Sequence, residues 1–195
     1  LAAGDYVSET TGARIEFTLD DHDWSGLPDT EGVGFGLLLA DLPDTAISAL
    51  AFVGEYFTDP CDPNGGTSTI SASPAAFMAM LTDRHGVTMA EPVEVEVGGR
   101  PALQADLTTE VDEACAATGD GQISVWPLHP VGPFDLYDQE RARVIAVDGG
   151  STTVILVAEA SSEDVAQSGV GADEYEHFLE HFTELLETMT ITPFE

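Results

Sequence analysis

The chain contains no lysine; five arginines are its only basic side chains of fixed charge, against 36 acidic residues in 195, for a formal net charge of −31. Binding to nucleic acid or to an anionic membrane surface requires clustered Lys and Arg that displace counterions, so both partner classes are excluded. Cysteine is almost as scarce, with only Cys61 and Cys115. No apolar run reaches the roughly 18 residues that a membrane-spanning helix requires. Neither a GxSxG elbow nor a CxxC pair occurs, so the serine-hydrolase and zinc-ribbon readings have no motif to stand on.

What is present argues for one folded domain. A hydrophobic fraction of 43% with recurrent β-branched runs is incompatible with a disordered acidic tail, and a chain of this length closes one core. The expected surface is about 9,000 Å². Net negative charges then lie roughly 17 Å apart, about twice the screening length at physiological salt. Self-repulsion is mild in such salt and severe at low ionic strength. The absence of lysine fits a high-GC genome or a salt-rich habitat.

Cys61 lies in the turn-rich segment Asp59-Pro60-Cys61-Asp62-Pro63-Asn64-Gly65-Gly66, and Cys115 follows a predicted strand. Neither has zinc-ligand spacing, and both stand among acids that disfavour a thiolate. A structural disulfide between them is expected, with free thiols as the alternative. A bridge would place the protein outside the cytoplasm, and a chain starting at Leu1 is expected to follow a signal or lipoprotein leader.

Alternation over Arg14–Leu19 predicts a strand, and Gly32–Leu39 and Ile47–Phe57 read as two more. Ser73-Pro74 opens a predicted helix as N-cap and first helical residue, and Gly86 marks its left-handed end. Val93–Val97, Gly98-Gly99 and Arg100–Leu107 form a predicted hairpin with a primed turn. Arg141–Val147, Asp148-Gly149-Gly150 and Thr152–Ala158 repeat the plan, and Ile155-Leu156-Val157 marks a strand covered on both faces. Tyr175, Phe178, Leu179, Phe182, Leu185 and Leu186 form one stripe of a second long helix, Ala172–Thr188. The expectation is an α+β fold, a mainly antiparallel sheet flanked by two long helices, in one extracytoplasmic domain over residues 1–195. Residues 1–12 are expected to be a flexible lead-in.

An ordered set of short segments carries a resemblance: Tyr56-Phe57-Thr58-Asp59-Pro60-Cys61, the Ser73-to-His85 helix, Val97-Gly98-Gly99-Arg100-Pro101-Ala102, Cys115 with a strand to Trp126, and Arg143-Val144-Ile145-Ala146-Val147-Asp148-Gly149. A final helix running into Met189-Thr190-Ile191 completes it. The set resembles a secreted or lipid-anchored actinobacterial domain of unknown function over about residues 30 to 193, and more weakly the PsbP-like α/β/α sandwich. The resemblance implies a non-enzymatic binding, sensor or accessory protein of the cell envelope, with no catalytic residues to carry over.

Candidate sites come from residue type and spacing. His177 and His181, four apart on the last helix, can ligate a metal. On a helical wheel both fall outside the apolar stripe, so a solvated acidic face is the plainer reading; the order is not HExxH. Asp20, Asp21 and Asp23, and separately Asp59, Asp62 and Asn64, are oxygen-rich turns that can hold calcium or simply be turns. Trp126, His129, Phe134 and Tyr137, in or beside a proline-rich loop, can form the lip of a ligand pocket or pack over the sheet as a rigid connection. Two functions follow: a binding or sensor domain for a small apolar ligand or an envelope protein, or a calcium-binding or carboxylate-based hydrolytic domain. Oligomeric state is not legible.

Overall fold

A computed structural model describes residues 1–9, 11–20, 24–27, 33–118, 121–128, 132–160 and 170–194. Hairpin patterning dominates the sequence, and an eight-stranded antiparallel sheet dominates the structure. Its order is β3 (Trp24–Leu27), β4 (Val33–Leu39), β5 (Leu42–Phe52), β14 (Thr153–Ala160), β13 (Arg141–Asp148) and β10 (Arg100–Thr109). The far edge of β10 is shared by β8 (Val87–Met89) and β9 (Val93–Val97). The two-residue turn joining β9 to β10 has φ of +60° at Gly98 and +76° at Gly99, the primed geometry that a two-residue hairpin requires.

The central strand, β14, lies between β5 and β13. Side chains alternate across a strand, so Val154, Leu156 and Ala158 enter one core and Ile155 and Val157 the other. The first core is closed by α3 (Ala172–Thr188) and by a three-stranded sheet of β1 (Gly4–Ser8), β2 (Ala13–Leu19) and β15 (Thr190–Pro193). The second is closed by α1 (Pro74–Thr82) and the hairpin of β11 (Gln122–Leu128) with β12 (Gly132–Tyr137). A small ladder of β6 (Glu55–Phe57) with β7 (Thr67–Thr69), a 3-10 turn at Pro63–Gly65 and the short helix α2 (Glu113–Thr118) complete the described elements.

This corrects the expectation of two long helices flanking a sheet. Only α3, with 17 residues, is long; α1 has nine and α2 six. Strands supply the rest of each covering layer, because Ile15, Phe17 and Leu19 on β2, and Ile123 and Trp126 on β11, bury as completely as the helical side chains do. Residues 4–8, expected as a flexible lead-in, form β1, paired with β2 from Gly4↔Leu19 to Ser8↔Ile15. The strand predicted over Ile47–Phe57 is broken at Gly54, whose φ is +88° and where any side chain would collide with the Ile70 carbonyl.

Helix α1 starts as expected, with the Ser73 hydroxyl accepting from the Ala76 amide at 3.4 Å, but it ends at Thr82, before Gly86. Arg84 is responsible: only 7% exposed, it turns inward out of the helix. Its Nη1 donates to the Phe57 carbonyl at 2.6 Å and its Nη2 to the Val125 carbonyl at 2.9 Å. Val125 is the extra residue of a bulge in the β11–β12 pairing, between Ser124 and Trp126, where a carbonyl leaves the regular ladder. The planar guanidinium fork thus ties α1 to β6 and β11.

Candidate functional site

A groove of about 530 Å³ runs between α1 and the β6–β7 ladder. Ala76, Ala79 and Met80 form one wall, Tyr56 and Ile70 the other, and Asp83, Arg84 and His85 close one end. The local sequence builds this shape. Gly54, with a φ of +88°, ends β5, and the Ile70 amide donates to the Gly54 carbonyl at 2.7 Å, holding Ile70 beside the groove. Tyr56 is held flat by Arg84, whose guanidinium carbon lies 5.3 Å from the ring centroid, a cation–π arrangement. Burial lowers the Arg84 pKa, with the Tyr56 charge opposing. No carboxylate among the described residues pairs with Arg84; carbonyls and the Met80 sulfur at 3.2 Å receive its Nη atoms.

The Cys61–Cys115 disulfide stands beyond the His85 end, with Cα atoms 4.5 Å apart. Asp59 Oδ1 accepts from the Cys61 amide at 2.9 Å and Asp62 Oδ1 from the Asn64 amide at 2.9 Å. Two carboxylates considered for calcium therefore cap their own turn. Asp112 caps α2, its Oδ1 accepting from the Cys115 amide at 3.0 Å. Its Oδ2 lies 2.8 Å from His85 Nε2. The donor atoms of Cys61, His85, Asp112 and Cys115 all lie within 4.8 Å of one another. Sequence spacing missed this cluster because its members come from a loop, the turn after α1 and the start of α2. Only Asp112 and Cys115, three apart, carried a local signal.

The sequence candidates fare unevenly. Trp126 is 1% exposed, inside β11. It packs edge-on to Phe52 and Phe77 and stacks on Phe134 of β12 at 4.3 Å; it is core, not a pocket lip. The prolines taken for a loop, Pro127 and Pro133, lie opposite each other in the β11–β12 hairpin, a two-stranded ladder in which both strands are edge strands, where proline is tolerated. Tyr137 ends β12 and is exposed; His129 lies outside the described residues. A smaller groove does border this hairpin, lined by Glu55, Phe57, Pro63, Asn64, Thr67, Pro127, Gly132 and Pro133.

His181 is buried at 7% exposure, edge-on to Trp24, which corrects the reading of both helix histidines as solvated. It flanks the apolar stripe, three residues after Phe178 and four before Leu185. His177 and His181 bring their Nε2 atoms to 3.3 Å. His177-Phe178-Leu179-Glu180-His181 has the order HxxEH, the reverse of the metallopeptidase helix considered above. The donors that gather among the described residues are nevertheless those around the disulfide. Asp20 Oδ1 accepts from Trp24 Nε1 at 3.1 Å; Asp21 and Asp23 lie outside the described residues.

One carboxyl pair is closely placed. Glu140 is 1% exposed; its Oε2 accepts from the Tyr137 amide at 2.7 Å, and its Oε1 has no hydrogen-bond partner. Burial, then the charge of Glu159, holds the Glu140 carboxyl protonated well above the usual range, and burial raises Glu159 as well. Buried away from solvent, the pair reads as a structural contact rather than a hydrolytic dyad with substrate access.

No family model matches the chain, and no curated protein matches it. Among solved structures it is similar to the cyanobacterial PsbP protein CyanoP of Synechocystis sp. PCC 6803, at 8% identity and a TM-score of 0.49 over 97% of this chain and 92% of that one. LpqN, involved in cell envelope biogenesis of Mycobacterium tuberculosis, is similar at 15% identity and a TM-score of 0.48 over 98% and 92%. A Pseudomonas aeruginosa protein of unknown function aligns at 12% identity and a TM-score of 0.38 over 96% of each chain. At these values the likenesses decide neither ligand nor mechanism.

Proposed function

We propose that this chain is an extracytoplasmic binding domain, secreted or lipid-anchored at the cell surface. It acts as a sensor or accessory module without catalysis of its own and takes a small, neutral, largely apolar ligand in the groove between α1 and the β6–β7 ladder. The observation that carries this reading is the groove itself. Its volume of about 530 Å³ falls within the range of small-molecule sites, and its apolar walls with a few polar groups at one end fit their usual lining. A neutral ligand is favoured because a net charge of −31 repels anions and both Arg84 Nη atoms are already engaged. The disulfide supports the compartment, since such bridges persist where thiols are oxidised, and the resemblance of the ordered sequence segments to an actinobacterial envelope domain points the same way.

A neutral solvatochromic naphthyl ketone is a suitable probe. Saturable one-to-one binding is expected, and Ala79→Trp, which fills the groove from an exposed helix position, should abolish it without lowering the melting temperature. Equal binding by wild type and Ala79→Trp would place any ligand elsewhere.

A further inference from the structure

We infer that the reduced chain carries a tetrahedral site for a thiophilic divalent cation of the zinc class, built by Cys61, His85, Asp112 and Cys115, and that this site and the disulfide are alternative states of one cluster. The inference is independent of the proposed groove ligand.

Two thiolates, an imidazole and a carboxylate are donors that zinc accepts in four-coordinate sites. Metal–ligand distances of about 2.0–2.3 Å put donors in such a tetrahedron roughly 3.3–3.8 Å apart. The four donor atoms here already lie within 4.8 Å of one another, so ligation requires side-chain movement of about 1 Å. The segments that carry them are also held by bonds other than the S–S bond. Pro60 is held by its carbonyl, which accepts from the Ser124 amide at 2.8 Å, and the Val87 amide donates to the Arg84 carbonyl at 3.1 Å across His85. Asp112 is fixed by its place at the start of α2. His85 Nε2, 2.8 Å from Asp112 Oδ2, would exchange that contact for the metal. The side chains of His85 and Asp112 are 58% and 47% exposed, leaving a path for the cation, and the −31 field concentrates cations at the surface.

The chemistry balances. A dithiol or phosphine reductant supplies two electrons, and two protons are taken up as the S–S bond breaks to give two thiols. The cation displaces those protons to form two metal–sulfur bonds. In the other direction, a small-molecule disulfide oxidant takes two electrons from the two thiolates and two protons from solvent to become two thiols, while Cys61 and Cys115 reform their bond and the cation leaves.

Cobalt(II) tests this on the full chain, reduced anaerobically with a phosphine. The expected result is one equivalent bound with the intense visible bands of tetrahedral cobalt and a sulfur-to-cobalt charge-transfer band, displaced by zinc and missing from the oxidised chain. His85→Ala and Asp112→Asn should each weaken binding at least about tenfold and alter the visible bands. Replacing His177 and His181 by alanine should leave the charge-transfer band unchanged. If the reduced chain loses its circular dichroism, zinc should restore it. No charge-transfer band, failure of zinc to restore a lost fold, equal affinity in His85→Ala and Asp112→Asn, or loss of the band with His177 and His181 would overturn the assignment.

Discussion

Replacing both cysteines by serine isolates what the bridge contributes. Cys61 and Cys115 are 54 residues apart, and the loop-closure relation gives about 4 kcal/mol at 25 °C for a ring of that size. The segment between them includes α1, β8, β9 and β10. These elements keep other anchors: the seven-residue pairing of β10 with β13 and the Arg84 fork. The native fold should therefore survive, with the loss arising mainly from the freed unfolded chain. For a chain of this size about 4 kcal/mol corresponds to a fall of roughly 8–16 °C in melting temperature. Urea unfolding at neutral pH and about 0.15 M salt reads this, with tryptophan fluorescence and far-ultraviolet circular dichroism as probes. Trp24 and Trp126 report on opposite cores, so coincident curves check that unfolding is two-state. A double variant within about 1 kcal/mol of wild type would refute the closure argument, because engineered-bridge strain cannot be blamed for a native bond.

Three further outcomes follow. The folded-state carboxyl pKa values of Glu140 and Glu159 are raised above their ordinary value of 4.5, so the native chain holds more protons than the unfolded one and stability is lost as pH climbs from that value through neutrality. Glu140→Gln should flatten this decline in denaturant titrations between about pH 5 and 8 in high salt; an unchanged slope would show that the pair is not protonated. Arg84→Met leaves the Phe57 and Val125 carbonyls without their donor and should cost about 3 kcal/mol in urea unfolding, with Arg84→Lys a poor rescue because one ammonium cannot span both carbonyls; full rescue by lysine would refute the fork. Melting temperature should rise between about 10 mM and 1 M NaCl as repulsion is screened; a flat or falling curve would show that the acids do not oppose folding.

The sequence was most legible where period and turn chemistry agreed. Gly98-Gly99 announced the β9–β10 hairpin, Ile155-Leu156-Val157 announced the doubly covered β14, and the stripe from Tyr175 to Leu186 gave α3 from Ala172 to Thr188. It was least legible where a distant partner set the outcome. Nothing local to Gly86 shows that α1 stops at Thr82, because the cause is a pair of carbonyls on β6 and β11. Pro127 and Pro133 argued for a loop, yet a two-stranded ladder admits both. Cys61 and Cys115 could be paired by arithmetic, whereas the approach of His85 requires the turn after α1 to be folded against α2. The groove was not legible at all, since its walls come from α1, β6 and the residues after β7, and the alanines that leave it room, Ala76 and Ala79, read as ordinary helix formers.

The groove is most directly tested by amide chemical-shift mapping of the oxidised, isotope-labelled chain during titration with the neutral naphthyl ketone probe. The account predicts saturable shifts confined to Tyr56–Thr58, Ile70 and Ala76–His85, with those of α3 and of the exposed end of β12 at Tyr137 unmoved. Shifts centred on Phe134 and Tyr137, or on His177 and His181, would contradict it, as would no saturable shift anywhere in the chain.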